Sequence, residues 1–390
     1  MDVFYSNFYD LMQHRKPHIR RALLDEVDDT SRFICIRGTR GIGKTSFLLD
    51  YAAERFSVAD RRCIYINLNH FCFSQVSIFS FAQRFVEEGG ETLLIDQIYK
   101  YDDWEHELEQ CYSELPNLRI VFTGSSVMSL SSPLLLSVVK VYDLRGFSFR
   151  EYFSEKNHLH LPAITLEDIL THHTDIASEI ISHAPIEGDF AQYLKTGYYP
   201  MIQEEVQFGE ELVKAMNMTL EVDVIYIRQI DPNYLIKLRQ LLFLVAGDMG
   251  AINISTLSKQ IGVSRATVMN YIKYLRDAKM ISLLYKKREE YPKKPAKIFL
   301  NNTNIAQLFY PATPTQMELS MIFLINQLSS HYRVNASPNK TADLLVDETH
   351  LIRLLDAHER STRRDVYFAV SDILTGRENR IPLWLFGFLY

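Results

Sequence analysis

Eight residues, GTRGIGKT from Gly38 to Thr45, constrain the fold of this chain more than any other stretch. A Gly-x-x-x-x-Gly-Lys-Thr run grips phosphate only where a strand feeds the loop and a helix leaves it. The apolar run FICIR ahead of Gly38 supplies the strand, and an amphipathic run from Lys44 supplies the helix. Glycines at 38, 41 and 43 let the backbone curl so that successive N–H groups face phosphate oxygens, and the helix adds its positive end. The phosphate-binding set expected from the pattern is Gly38, Thr39, Arg40, Gly41, Ile42, Gly43, Lys44, Thr45 and Ser46. Lys44 is expected on the β- and γ-phosphates and the Thr45 hydroxyl in a magnesium shell, so the ligands are ATP and Mg2+.

Residues 30–150 repeat this alternation. CIYINL precedes VSIFSFAQRFVEE, ETLLID precedes WEHELEQCYSEL, and RIVFTGSS follows. Alternating strands and helices imply an α/β fold, a parallel sheet wrapped by helices. With 390 residues the chain exceeds one ordinary core. The four cysteines (Cys35, Cys63, Cys72 and Cys111) lack paired metal spacing and read as reduced thiols, two of them in strand-like runs. The N-terminal stretch lacks an apolar signal core, and no run nears the roughly 20 residues of a membrane span. A cytoplasmic protein with no membrane partner is expected.

ETLLIDQIYK carries the second nucleotide motif. Leu93, Leu94 and Ile95 lead into Asp96, where P-loop ATPases place the carboxylate that supports magnesium. The next position, where a glutamate would activate water, holds Gln97. A neutral amide orients water but does not accept its proton. The neighbouring run CIYINLNHF ends in Asn69 and His70 and offers no carboxylate in its place.

The domain resembles the AAA+-like bacterial ATPases that carry a winged helix and a nuclease-like C-terminal domain. The resemblance rests on the phosphate loop, on LLIDQIYKYDDW with Asp96, Lys100 and Trp104, on VFTGSS, on LRGFSFREYF and on the closing IPLWLFGFLY. It implies a sensor role near the γ-phosphate for Ser125, and a catalytic set of Lys44, Asp96, Gln97 and Ser125. The family's arginine before the Phe-Arg-Glu signature is missing: LLLSVVKVYDLRG offers only Lys140 and Arg145. Slow or impaired hydrolysis is therefore expected.

Residues 231–288 have the rhythm of a winged helix-turn-helix. Leu241, Leu242, Leu244 and Val245 give the first helix an apolar face. Ser255 is expected to cap a second helix running to Ile261, Gly262 to make the turn and Ser264 to cap a third. Val268, Ile272 and Leu275 would bury the third helix, leaving Arg265, Thr267, Asn270 and Lys273 outward as DNA-contacting residues. From Lys259 to Leu300 eleven basic residues stand against three acidic ones, a net +8 that leaves −14 for the rest of a chain of net −6. Such asymmetry marks a local electrostatic footprint. Double-stranded DNA is the expected partner, and a protein partner the alternative.

The family's last domain resembles a restriction-endonuclease fold, whose site needs an aspartate and then an acid-x-Lys on the next strand. TADLLVDETHLIRLLDAHER offers Asp343 and Asp347 as first-strand acids, but Arg353 and Leu355 where the acid and lysine belong. An inactive domain is expected. The histidines of NHLHL and THHTD are expected to be solvated. The expected organisation is a helical lead-in over 1–29, a P-loop core over 30–155, a helical lid over 156–230, the winged helix over 231–288 and the nuclease-like α/β domain over 289–390. HAPIEGDF and KTGYYP read as turns within the lid. The favoured reading is an ATP-binding protein whose nucleotide state is coupled to the winged helix. A nucleotide-gated protein scaffold and an active DNA-dependent ATPase are the alternatives, with oligomeric state open.

Overall fold

The computed structural model describes residues 1–15, 19–57, 60–200, 205–309, 313–359 and 363–390. The chain divides into two compact units, Met1–Arg145 with Tyr226–Gln229, and Gly146–Ile225 with Ile230–Tyr390.

The first unit opens with α1 (Asp2–Gln13) and then alternates β1 (Phe33–Gly38), α2 (Lys44–Arg55), β2 (Cys63–Asn67), α3 (Ile78–Glu87), β3 (Thr92–Asp96), α4 (Trp104–Glu114), β4 (Arg119–Ser125), α5 (Pro133–Val138) and β5 (Val139–Asp143). The five strands form one sheet in the order β2-β3-β4-β1-β5, parallel throughout. Helices cover both faces of such a sheet, so its inner strands are apolar without alternation: β3 is buried along its whole length. The sequence reading finds four of these strands. It does not find β5, a half-exposed edge strand that follows α5 directly. Pairing aligns the carboxyl ends, with Gly38 opposite Ser125 and Asn67 opposite Asp96. Ligands of open α/β sheets bind at that edge.

The second unit contains α6 (Phe149–Lys156), α7 (Leu166–His183), α8 (Glu187–Gln192), α9 (Glu205–Met218), α10 (Leu235–Gly247), α11 (Ile254–Ile261) and α12 (Arg265–Asp277). The antiparallel pair β6 (Ile281–Leu284) and β7 (Lys297–Leu300) follows, then α13 (Thr303–Ala306) and α14 (Gln316–Leu328). A mixed sheet ends the chain: β8 (Val334–Ala336), β9 (Leu344–Val346), β10 (His350–Leu355), β11 (Tyr367–Val370) and β12 (Arg380–Pro382), ordered β12-β11-β10-β9-β8. The FSFREYF signature begins at the Ser148–Glu151 capping box of α6. Its Phe149 packs edge-to-face on Phe388 of the closing segment at 5.9 Å. Arg150 donates to the main-chain oxygens of Tyr390 and Leu161, each at 2.9 Å. The two motifs that look independent in sequence thus share one aromatic core.

Four local expectations are corrected. HAPIEGDF is not all turn: Glu187 and Asp189 sit in the first turn of α8, where acidic side chains favour a helix start. Lys195–Gly197 belong to a π-helical turn spanning Tyr193–Gly197, and a Cβ on Gly197 would lie 2.4 Å from the Tyr193 ring. Asn253, not Ser255, caps α11, its side chain accepting from the Ser255 and Thr256 amides. His173 is not solvated. It falls in helical phase with Ile169, Leu170, Ala177 and Ile180 on the buried face of α7, is 3% exposed, and burial lowers its pKa. His158, His160 and His172 are exposed.

Asp343 and Asp347 flank β9 rather than lying on it. The Asp343 carboxylate accepts from the Leu354 amide at 3.0 Å. Asp347 and Glu348 both have positive φ, 46° and 60°, in the three-residue turn that leaves Val346 paired with His350. A Thr349 N–H to Val346 carbonyl bond closes that turn. Leu355 lies in an apolar cluster with Ala342, Val366, Phe368 and Val370. Among the described residues no three histidine, cysteine or carboxylate side chains group as a metal site.

Candidate functional site

The loop after β1 has the shape its glycines require. Gly41 and Gly43 have φ of 77° and 92°, a region costly for other residues. A Cβ on Gly38 would meet the Leu144 carbonyl at 2.7 Å. Lys44 opens α2 and folds back over the loop, its Nζ donating to the carbonyls of Gly38 (2.8 Å) and Thr39 (2.7 Å). Thr45 and Ser46 follow on the exposed side of the first helical turn, while Thr39 and Ile42 are buried.

Asp96 ends β3 and is 1% exposed. Its Oδ2 accepts from Thr45 Oγ1 (2.7 Å), Tyr65 OH (2.9 Å) and Asn67 Nδ2 (3.4 Å), and its Oδ1 from Thr123 Oγ1 (2.5 Å). All four donors are neutral, and among the described residues no cationic side chain pairs with this carboxylate. A buried anion beside a hydroxyl, both hard oxygen ligands, fits Mg2+, which takes one or two protein ligands and fills its octahedron with water and phosphate. Burial, and then the Asp96 charge, push the Tyr65 phenol far above its ordinary pKa.

Gln97 lies past the end of the strand. It does not extend β3 toward the loop; the strand ends at Asp96, and Gln97 turns left-handed with φ 59° to begin the short turn Ile98–Lys100. Its amide N–H donates to Thr123 Oγ1 at 2.8 Å. Its Oε1 accepts from Tyr99 OH at 3.4 Å, and Tyr99 OH in turn accepts from Arg40 Nη2 of the phosphate loop at 3.0 Å. Guanidinium only donates, so the direction of the Arg40–Tyr99 link is fixed by chemistry.

Ser125 closes β4 level with Gly38 and is buried, its Oγ accepting from the Val127 amide at 3.4 Å. Asn67 on β2 stands opposite Asp96, and Asn69 and His70 lie past the strand end. Lys140 is exposed on β5. The sequence reading missed Tyr65, Asn67, Thr123, Tyr99 and Arg21. Arg21 is 6% exposed and donates to the Ile42 carbonyl of the loop (3.3 Å) and to that of Arg145 (2.7 Å). An isolated arginine in a lead-in segment carries no signal of this role.

In the second unit, α10 to α12 lead into the β6–β7 pair. Ser264 caps α12 by accepting from the Thr267 amide, and Gly262 turns with φ 70°. Val268, Tyr271, Ile272 and Leu275 are buried; Arg265 and Asn270 are exposed, and Thr267 and Lys273 half-exposed. Tyr291, from the connection between β6 and β7, donates its hydroxyl to Asn270 Oδ1 at 2.9 Å. Lys273 Nζ lies 5.2 Å from the centre of the Tyr291 ring.

Residues 30–153 match the AAA domain family, and residues 187–314 match a domain of unknown function, DUF8612. Comparison with curated proteins finds no match. Among solved structures, the chain is similar to AMPPCP-bound DnaA from Aquifex aeolicus, with 15% identity over 65% of this chain and 85% of that one and a TM-score of 0.25. It is also similar to C. elegans PCH-2, with 14% identity over 71% of this chain and 67% of that one and the same TM-score of 0.25. No helix among the described residues is long and apolar enough to cross a membrane.

Proposed function

From a chain whose residues 30–153 form an AAA-type nucleotide-binding domain, we propose an ATP-holding switch that hydrolyses slowly and is coupled to a DNA-contacting winged helix. One observation carries the reading. Thr45 and the buried Asp96 stand 2.7 Å apart beneath a fully formed glycine loop, while the following position holds a neutral amide turned away from the strand. In this reading Gly38 to Ser46 hold the phosphates and Lys44 exchanges its loop carbonyls for phosphate oxygens. Thr45 and Asp96 would hold Mg2+, which neutralises phosphate charge when bound. Ser125 lies at the strand end where a γ-phosphate would be sensed. Measuring ATP turnover by the full chain, with and without duplex DNA, tests the proposal. Fast turnover in either condition would make the protein a motor rather than a switch.

The winged helix, in this reading α10 to α12 with β6 and β7, meets DNA through Arg265, Thr267, Asn270 and Lys273. Support comes from the net +8 between Lys259 and Leu300. Affinity for a mixed-sequence duplex should fall steeply with added salt, because each neutralised phosphate releases counterions. Arg265→Ala or Lys273→Ala should lower the log–log salt slope by about 1. Salt-independent binding, or none at low salt, would favour a protein partner.

The nuclease-like sheet is read as inactive, because Arg353 and the buried Leu355 stand where an acid and a lysine are needed. Incubating supercoiled DNA with the protein and Mg2+ or Mn2+ should leave it intact. Cutting that disappears in Asp343→Ala would reverse this reading.

A further inference from the structure

We infer that the Arg40 side chain separates ATP from ADP by exchanging the Tyr99 hydroxyl for an oxygen of the terminal phosphate. The inference rests on the nucleotide reading above and goes further by naming the residue that answers to the γ-phosphate alone. Arg40 stands between the buried Thr39 and the left-handed Gly41 of the phosphate loop. Its guanidinium reaches out of that loop to the turn that follows β3. Nη2 donates to Tyr99 OH at 3.0 Å, and the guanidinium carbon lies 5.8 Å from the centre of the Tyr99 ring. Tyr99 is itself buried, and its hydroxyl donates to Gln97 Oε1 at 3.4 Å, one residue past Asp96. The Arg40 head is thereby tied to the end of the site where Asp96 meets Thr45 at 2.7 Å. In the proposed site that is the magnesium end, and the metal bridges β- and γ-phosphate oxygens. A cation tethered there serves the phosphate that ATP has and ADP lacks.

The chemistry of the two acceptors sets the direction of the exchange. The Tyr99 oxygen is neutral, whereas a phosphate oxygen is anionic, and the planar guanidinium fork matches phosphate with two parallel bonds. Lys44, as a point charge shared between the β- and γ-phosphates, separates the two nucleotides less sharply. Lys140 is exposed on the edge strand β5, on a different part of the sheet. Tyr99 is then a positioning residue and a competitor: it holds the arginine head in place, and ATP must displace it. A purely structural tie between the loop and the turn makes the opposite demand. There Arg40 and Tyr99 act together, and losing either one harms both nucleotides alike. The transfer therefore predicts effects of opposite sign for the two partners of one hydrogen bond.

Titration calorimetry of the full chain with Mg-ATP and with Mg-ADP tests this. Arg40→Ala should weaken ATP about tenfold and leave ADP within about twofold, so the preference for ATP falls. Tyr99→Phe removes the competing acceptor and should raise the preference for ATP about threefold. In Arg40→Ala the further change Tyr99→Phe should leave the preference unaltered. Equal weakening of both nucleotides by Arg40→Ala, an unchanged ATP affinity in that variant, or a preference that Tyr99→Phe lowers or leaves as it was would each overturn the inference while leaving nucleotide binding intact. Absence of binding of either nucleotide to the natural protein would overturn the nucleotide reading itself, and this inference with it.

Discussion

Lys44→Ala is expected to remove measurable Mg-ATP binding. In the structure the ammonium spends its protons on the Gly38 and Thr39 carbonyls, at 2.8 and 2.7 Å. Transfer to phosphate oxygens replaces two neutral acceptors by anionic ones, adding charge–charge attraction to bonds the ammonium already strengthens. Each such bond contributes about 1.5–3 kcal/mol, so losing two weakens affinity by roughly a hundredfold or more. Titration calorimetry with ATP and magnesium reads the loss, and thermal denaturation of the variant checks that the sheet still folds. Unchanged affinity would mean that the loop does not hold nucleotide.

Gln97→Glu is expected to raise ATP turnover by about tenfold or more at saturating Mg-ATP. General-base assistance typically contributes 10²–10⁴-fold, and the substitution changes shape very little. The structure adds a condition. The Gln97 oxygen already accepts from Tyr99, which is held by Arg40. A glutamate has a second oxygen, so one can keep Tyr99 while the other accepts a proton from water. The informative set is the natural protein, Gln97→Glu and Gln97→Ala. A modest gain would shift attention to charge at the transferring phosphate, for which this region offers only Lys140 and Arg145 before the signature. Robust hydrolysis by the natural protein, little altered by glutamate, would make Gln97 a tolerated substitution.

What was legible in the sequence was local chemistry. The phosphate loop fixes its own backbone through Gly41 and Gly43, and runs such as FICIR and TLLID announce strands buried on both faces. The cap at Ser264 obeys a rule that spans three residues. What escaped depends on register between distant segments. Tyr65, Asn67 and Thr123 surround Asp96 because β2 and β4 bring them there, and nothing near Asp96 in the chain encodes that alignment. The turn at Gln97 escapes for a related reason: a left-handed glutamine has no sequence signature, and its amide is held by Thr123 from the next strand. His173 shows the limit of judging residues by polar neighbours, since the helical period, not the neighbour, decides which side is buried.

The position of β1 also governs when the site can come into being during synthesis. Its two neighbours arrive late, with Phe33 pairing with Ile120 on one side and Val139 on the other. Contacts of such long sequence separation form slowly, because a large loop must close first. The Leu144 carbonyl that crowds Gly38 comes later still. A nascent chain that has just emerged beyond Thr45 would carry the proposed phosphate loop, β1 and Arg21, but neither of the strands that flank β1. In the proposed reading, nucleotide would favour the folded domain only after β5 has been made, and ATP would act on the finished sheet as a stabiliser and not on the growing chain as a template.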